Sequence, residues 1–174
     1  QWSWIRGNQL GGKSLIWARQ SYRLSEFDFE ANTADGHGND WPIRYKDLAP
    51  WYSHVERHAG ISGAADNLPQ LPDGDFLPPF EMTSPEKFVK SKIESLFPDR
   101  HIIIGRTANL SQPRAHHFEQ GRAPCMARDE CQKGCSFGAP FSTQSSTLPA
   151  ARATGNLTLR ANSLVEKLIY DDKT

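Results

Sequence analysis

The three cysteines of this 174-residue chain, Cys125, Cys131 and Cys135, all lie within eleven residues. Their spacing is C-x5-C-x3-C, in a segment that also carries two prolines and two glycines, APCMARDECQKGCSFGAP. Clustered thiolates can hold a metal, two of them can form a disulfide that leaves the third over, or all three can stay free thiols. The spacing alone leaves these three interpretations open.

A zinc site is one form of the metal interpretation, because His116 and His117 precede the cysteines. Three cysteines and one histidine can bind zinc, but the five-residue gap between the first two cysteines is longer than zinc knuckles usually have. His54 and His58 also stand four apart, but the glutamate of HVERH is one position too late for a metalloprotease helix. We interpret that pair as ordinary helix histidines.

A glycine-rich segment, GNQLGGKSLIWARQS at residues 7–21, could bring backbone amides against the phosphates or ring of a cofactor. It is neither the phosphate loop of NTPases nor a complete G-x-G-x-x-G fingerprint. A simple turn explains the same glycines equally well. On its own, the segment leaves both interpretations open.

Two helices are predicted in the first part of the chain. Apolar spacing predicts one over residues 44–60 and a second over 84–97, with Ser84 as N-cap and Pro85 at the first helical position. The apolar residues of the second helix are expected to face the core, and they are Phe88, Val89, Ile93, Leu96 and Phe97.

The last part of the chain is predicted to mix strands with one helix. The apolar, β-branched run 101–110 predicts a strand, and 147–155 predicts a short helix capped by Gly155. Residues 156–170 predict two strand-like pieces. Because strands and helices do not alternate regularly, the expected fold class is α+β.

Composition narrows the class of partner. Twenty basic and twenty acidic residues give no net charge, so no overall field would draw the chain to nucleic acid. No stretch approaches the length of a membrane span, and no signal sequence is recognisable, so we expect a soluble protein of the bacterial periplasm or cytoplasm. The chain opens on a glutamine and closes on a strand-like run, and we expect it to be an internal fragment.

Four segments together resemble the glucose-methanol-choline family of FAD-dependent oxidoreductases, in the order that this family uses. They are LGGKSLIWARQS, DWPIRYKDLAPWYSHVERHAGISG, CQKGCSFGAPFSTQSSTLPAA and TGNLTLRANSLVEKLIYDD. The chain is most similar to the bacterial sugar and glucoside dehydrogenase branch. The resemblance implies an FAD-dependent enzyme that oxidises a CH–OH group of a sugar or glycoside by hydride transfer to the flavin.

The resemblance also implies site residues. Seven would lie against FAD: Gly11, Gly12, Lys13 and Ser14 on the pyrophosphate side, Trp17 and Ala18 near the flavin, and Val165 at the adenine through its main chain. The family's G-x-G-x-x-G helix would precede this chain, and its catalytic histidine would follow it. We therefore assign no catalytic residue here, and expect the segment alone to be inactive and colourless.

The family's organisation implies a chain that leaves the FAD domain and returns to it. Residues 1–32 would belong to that domain, 33–142 with the cysteine loop to a substrate domain of antiparallel sheet and helices, and 143–174 to the FAD domain again.

The cysteine spacing resembles the loop that carries a three-iron iron-sulfur cluster in FAD sugar dehydrogenases. Cys125, Cys131 and Cys135 would be its ligands, and a cytochrome or other small electron carrier would be the partner. The alternative function is a small zinc-stabilised interaction module without catalysis.

Overall fold

The structure is a computed structural model, and it describes residues 5–171. Two predicted segments, 1–32 and 143–174, therefore extend beyond the described part, at residues 1–4 and 172–174. No helix within residues 5–171 is both long enough and apolar enough to cross a membrane.

Helices supply the regular structure of the described chain. In chain order they are a 3-10 helix Gly12–Leu15, α1 Glu26–Asp35, α2 Tyr45–Ala59, α3 Ser84–Leu96, α4 Ala115–Glu119, a π-helical turn Thr143–Thr147, and α5 Leu148–Ala153. The predicted helices over 44–60, 84–97 and 147–155 are confirmed as α2, α3 and α5. Helix α1 was not predicted from the sequence.

Capping interactions define where these helices begin. Asp28 accepts the backbone N–H of Ser25 at 2.6 Å and so caps α1, and Asp47 does the same for Arg44 at the start of α2. At α3 the cap is Thr83, whose N–H and hydroxyl both donate to Glu86. The prediction of Ser84 as the cap was wrong by one residue, because the Thr83–Glu86 pair satisfies the free amides one position earlier.

The predicted α+β class with an antiparallel sheet is wrong, since residues 5–171 contain isolated bridges and no strand. Thr107 exchanges two hydrogen bonds of 2.9 Å with Ser62, and its neighbours bond to segment 19–21 on the other side. Around Asn109, two residues further along, the side that bonded to segment 19–21 bonds instead to segment 139–141. Asn109 forms a bridge with Pro140 there. A β-ladder requires two segments to stay paired over several residues. Each pairing here consists of a single bridge, after which the two segments diverge.

The strand-like pieces predicted over 156–170 are also wrong. These residues have no regular structure, and most of their large apolar side chains are exposed, including Leu164 at 97%, Leu168 at 90% and Ile169 at 92%. Strand formation depends on hydrogen bonds to a neighbouring strand, and no described segment lies beside this one to provide them.

The core is small and lies where α2 ends and the bridging segments meet. One buried cluster joins Ala59, Ile61 and Ala108, and a second joins Leu77, Leu110 and Ala139. The expectation that α3 buries its apolar face is wrong, since four of its five predicted core residues are exposed: Phe88, Val89, Leu96 and Phe97. The 3.6-residue pattern placed these side chains on one helix face, but nothing described covers that face.

Gly60 ends α2 at the most crowded point of this core. Its φ is +77°, and a Cβ built there would lie 2.1 Å from Leu110 Cδ2. Gly36 ends α1 with a similar φ of +73°, but a Cβ there would meet nothing within 4 Å. The two positions therefore share the backbone requirement for glycine and differ in the space available.

We expect Gly60→Ala to destabilise the protein far more than Gly36→Ala. A left-handed alanine costs about 1 to 2 kcal/mol at either site, and overpacking against Leu110 adds about 1 to 3 kcal/mol at position 60 alone. Urea unfolding of both variants measures the difference. Equal losses of stability would show that Leu110 moves aside and that the core at Gly60 is not tightly packed.

Candidate functional site

An open cleft of about 540 Å³ lies between the glycine-rich segment and the cysteine loop. Three stretches of chain form its wall. They contribute Gln9, Leu15, Ile16 and Arg19, then Gln120, Gly121 and Arg122, then Cys131, Gln132, Lys133, Gly134, Cys135, Ser136, Gly138, Pro140, Ser142, Gln144 and Ser145. The glycine-rich segment and the cysteine loop, which the sequence indicated separately as candidate binding segments, therefore line the same cleft.

A hydroxyl group ties the first segment to the third. The Ser14 hydroxyl lies 2.6 Å from the Gly11 carbonyl oxygen and 2.8 Å from Thr143 Oγ1, and it accepts the Thr143 N–H at 2.9 Å. Gly11, at φ +96°, provides the left-handed turn that brings these groups together. Segments predicted to share the FAD domain thus meet here, although their assignment to that domain stays a prediction.

None of the seven residues predicted to contact FAD is part of the cleft wall. Lys13 and Ala18 are exposed, and Val165 is exposed on the irregular C-terminal segment. Trp17 is half-buried, donates from Nε1 to the Phe141 carbonyl at 3.1 Å, and packs edge-on against the Phe141 ring. Trp17 therefore has a packing role in the described chain, and its approach to a flavin stays a prediction, as do the roles of the other six.

The three cysteines come together in space and are all free thiols. They line a small cavity of about 40 Å³, and Cys131 and Cys135 also face the cleft. Burial raises the pKa of the Cys131 thiol, while the nearby Arg19 guanidinium opposes that shift. The three thiols thus line one cavity, and no disulfide joins them.

Metal ligation is not preformed in the described part of the chain. Within residues 5–171, no group of three or more histidine, cysteine or acidic side chains is arranged to hold a metal ion. Three thiols that line one cavity still match the donor set of an iron-sulfur cluster, which takes a thiolate at each of several irons rather than all ligands at one point. The cysteines as cluster ligands remain a prediction.

The histidines near the cysteines are already engaged in the protein. His117 is fully buried; its Nδ1 accepts the Arg114 N–H at 2.9 Å, so Nε2 carries the hydrogen and donates to the Arg57 carbonyl at 3.0 Å. His116 Nε2 lies 2.9 Å from the same carbonyl. Both rings are held at the Arg57 carbonyl, and no histidine lines the small cavity of the three cysteines, so the described residues do not form the three-cysteine, one-histidine zinc site.

Arg19 and Arg122 are functional candidates that were missed from the sequence. Both line the cleft, and they are only 3% and 1% exposed. Arg19 donates to the Cys131 carbonyl at 3.0 Å and so links the glycine-rich segment to the cysteine loop. A buried arginine in an irregular segment has no periodic or motif signal, so only the three-dimensional arrangement identifies the pair.

Comparisons with known proteins find oxidoreductases that are similar to this chain. It is 28% identical to paromamine 6'-oxidase of Streptomyces fradiae over 98% of this chain and 30% of that protein. It is 26% identical to the fructose dehydrogenase large subunit of Gluconobacter japonicus over 76% of this chain and 24% of that protein. No protein-family model matches.

A third relative has an alcohol as its named substrate. The chain is 28% identical to 2-methyl-1,2-propanediol dehydrogenase of Mycolicibacterium austroafricanum, over 92% of this chain and 28% of that protein. The chain thus spans less than a third of the length of these relatives. Their names describe oxidases and dehydrogenases of sugars and alcohols, consistent with the kind of enzyme that the resemblance implies.

The geometry of His117 predicts a pH dependence of stability. Burial, and then the neighbouring His116 and Arg122, lower the pKa of His117 from 6.5 to about 4. Between these values the unfolded chain binds more protons than the folded one, so stability should fall as pH drops from 6.5 toward 4. His58, whose pKa burial also lowers, adds to the same trend.

We expect His117→Gln to flatten this fall, as measured by urea unfolding at pH 7, 6 and 5. The exposed His101→Gln variant is the matched control and should keep the wild-type profile. An identical loss of stability in His117→Gln and wild type would show that the buried imidazole does not govern this pH range.

Proposed function

We propose that this chain forms part of an FAD-dependent oxidoreductase that oxidises a CH–OH group of a sugar or glycoside. The observation that carries the proposal is the shared cleft. Leu15, Ile16 and Arg19, from the segment that resembles a flavin-contact region, face the same space as Cys131 and Cys135, from the segment that resembles a redox loop. Electron transfer between a flavin and a cluster requires the two groups to lie close together, and the shared cleft supports such an arrangement.

The relatives support the substrate class. Paromamine 6'-oxidase and fructose dehydrogenase act, by their names, on sugars or sugar derivatives, and both share this stretch of chain. A bound FAD would supply the hydride acceptor for oxidation of the alcohol carbon. Because the chain spans less than a third of these proteins, the activity is proposed for the whole enzyme.

The cleft is chemically suited to a polar cofactor. Gln9, Gln144, Ser142 and Ser145 offer amide and hydroxyl groups that can bind ring carbonyls, ring nitrogens or ribityl hydroxyls. The Ser14–Thr143 contact fixes the two sides of this wall relative to each other. In this proposal the described residues bind and orient the cofactor, and no described residue takes the proton from the substrate hydroxyl.

We further propose that Cys125, Cys131 and Cys135 hold an iron-sulfur cluster that passes electrons from the flavin to a cytochrome or other small carrier. The loop is accessible to such a partner, since Met126 is 60% exposed and Arg128 and Lys133 are also exposed. Iron-sulfur clusters take thiolate ligands, and the three thiols already line one cavity. No histidine lines the cavity of the three thiols, so the zinc-stabilised module of three cysteines and one histidine has less support.

The test uses the whole gene product, expressed and purified without oxygen. We expect bound FAD whose visible absorption is bleached by at least one sugar or sugar alcohol, together with iron and acid-labile sulfide that are lost in Cys131→Ser. Flavin-free protein, or flavin that no sugar reduces, would contradict the enzyme proposal. Full flavin without iron would contradict the cluster alone.

Ser14→Ala, made in the same whole gene product, tests whether the Ser14–Thr143 contact contributes to FAD binding. Loss of the Ser14 hydroxyl removes the link to Thr143 and should weaken retention of FAD on dilution, with a stability loss of about 1 kcal/mol. Ser91→Ala, in the exposed face of α3, is the matched control. Equal FAD retention in both variants would exclude the Ser14–Thr143 contact from the cofactor site.

A further inference from the structure

Arg19 joins the glycine-rich segment to the cysteine loop through one buried guanidinium group. The residue is only 3% exposed. Its Nη1 donates to the Trp17 carbonyl at 2.8 Å, and its Nη2 donates to the carbonyls of Leu15 and Cys131 at 2.9 and 3.0 Å. Two of these acceptors belong to the segment that resembles a flavin-contact region, and the third belongs to a proposed cluster ligand. The guanidinium therefore holds the two segments at a fixed distance.

The charge of Arg19 also acts on the cysteines. Burial lowers the pKa of Arg19, and the negative charges of the Cys131 and Cys135 thiolates oppose this shift. The influence is mutual, because the Arg19 charge lowers the pKa of Cys131 against the effect of burial. By contrast, burial alone lowers the pKa of Arg122, the other buried arginine of the cleft wall, to about 10. Of these two arginines, Arg19 is therefore the one whose charge interacts with the thiols.

The cysteine loop itself provides no net charge. Residues 123–140 contain two basic and two acidic side chains, which are Arg128, Asp129, Glu130 and Lys133. Three of these four side chains are exposed, so water and salt screen their charges. The buried charge of Arg19 is screened much less. Arg19 therefore supplies a stronger positive field at the thiols than the exposed charges of the loop do.

An unused donor on Arg19 fits a site that a bound group completes. Its Nε atom is buried, and among the described residues it has no hydrogen-bond partner. Buried donors are normally paired, and the exceptions include redox sites and sites that bind an ion. Iron-sulfur clusters present sulfur acceptors, and hydrogen bonds to those sulfurs help to set the reduction potential. The unused donor thus matches the kind of acceptor that such a cluster brings.

We propose that Arg19 is a positioning residue of the electron-transfer site, and that its positive charge raises the reduction potential of the cluster bound by the three cysteines. The proposal rests on the redox function proposed above. The two electrons of each hydride leave the flavin one at a time. One electron that reaches the cluster adds one negative charge at the thiolates, and the Arg19 guanidinium stabilises that charge until the electron passes to the cytochrome or other small carrier.

Two substitutions at position 19 separate the charge from the rest of the side chain. Arg19→Gln removes the charge and keeps hydrogen-bond donors, whereas Arg19→Lys keeps the charge. The φ of +64° at this position is in the left-handed region, which strains arginine, glutamine and lysine alike. Differences between the variants and wild type therefore come from the side chain and not from the backbone.

The test is an EPR-monitored redox titration of the whole gene product, purified without oxygen with FAD and iron bound. We expect the equilibrium constant for one-electron reduction of the cluster to fall about tenfold in Arg19→Gln, which is a decrease of about 59 mV in potential. Arg19→Lys should restore most of the wild-type potential. Arg128→Gln is the matched control, because Arg128 is an exposed cation that lines the cavity of the three thiols. Its shift should be smaller than that of Arg19→Gln, since solvent screens the charge.

The outcomes separate this proposal from the redox function on which it rests. Wild type with FAD but no iron would overturn both the cluster and the role of Arg19. A cluster whose potential is unchanged in Arg19→Gln, or shifts equally in Arg19→Lys or Arg128→Gln, would overturn the role of Arg19 alone. If Arg19→Gln fails to hold the cluster, Arg19→Lys decides: a cluster close to the wild-type potential supports the proposal, and a lost or shifted cluster contradicts it.

Discussion

The guanidinium group of Arg122 holds together the parts of the molecule on which the rest of the fold depends. It donates to the Ala59 carbonyl at 2.8 Å and to the carbonyls of Gly138 and Ala139 at 3.0 and 3.1 Å. These carbonyls belong to the end of α2 and to the chain that follows the cysteine loop. One side chain therefore fixes the distance between the core and the far wall of the cleft.

Buried arginines donate hydrogen bonds to these backbone carbonyls because the described chain has no sheet. Backbone carbonyls inside a protein need donors, and a ladder of strands normally supplies them. Here segments exchange single bridges and then separate, so carbonyls are left over at their ends. Arg106 donates to the carbonyls of Pro72, Ala64 and Leu71, and it stacks over the Phe76 ring. The same mechanism thus operates at two separate points of the fold.

The sequence correctly predicted elements that depend on neighbouring residues. Its predictions failed for elements that depend on contacts with distant parts of the chain. Helix α2 follows from its apolar spacing and the left-handed Gly60 at its end, both of which can be recognised within residues 45–60. Run 101–110 has the composition of a strand, yet a strand depends on a partner, and the partner of Thr107 changes two residues later. The apolar face of α3 is likewise a correct local pattern, but no segment among the described residues covers it.

The candidate site divides in the same way. The cysteine spacing and the Gly-Gly turn are short-range signals, and both segments do reach the cleft or its edge. Arg19 and Arg122 could not be found by such reasoning, since their partners lie up to 112 and 63 residues away. Their importance comes from burial and from hydrogen bonds to distant carbonyls, which are properties of the folded chain.

Unfolding of Arg122→Met in urea tests most directly whether this side chain organises the fold. Methionine fills a similar volume but leaves the carbonyls of Ala59 and Gly138 without a donor, while the Ala139 carbonyl keeps only the Leu110 N–H, so we predict a loss of about 3 to 5 kcal/mol. Arg128→Met, which removes an exposed arginine of the cysteine loop, should change stability by less than about 0.5 kcal/mol. If Arg122→Met is as stable as wild type, burial of the charge costs as much as its hydrogen bonds contribute, and Arg122 does not organise the fold.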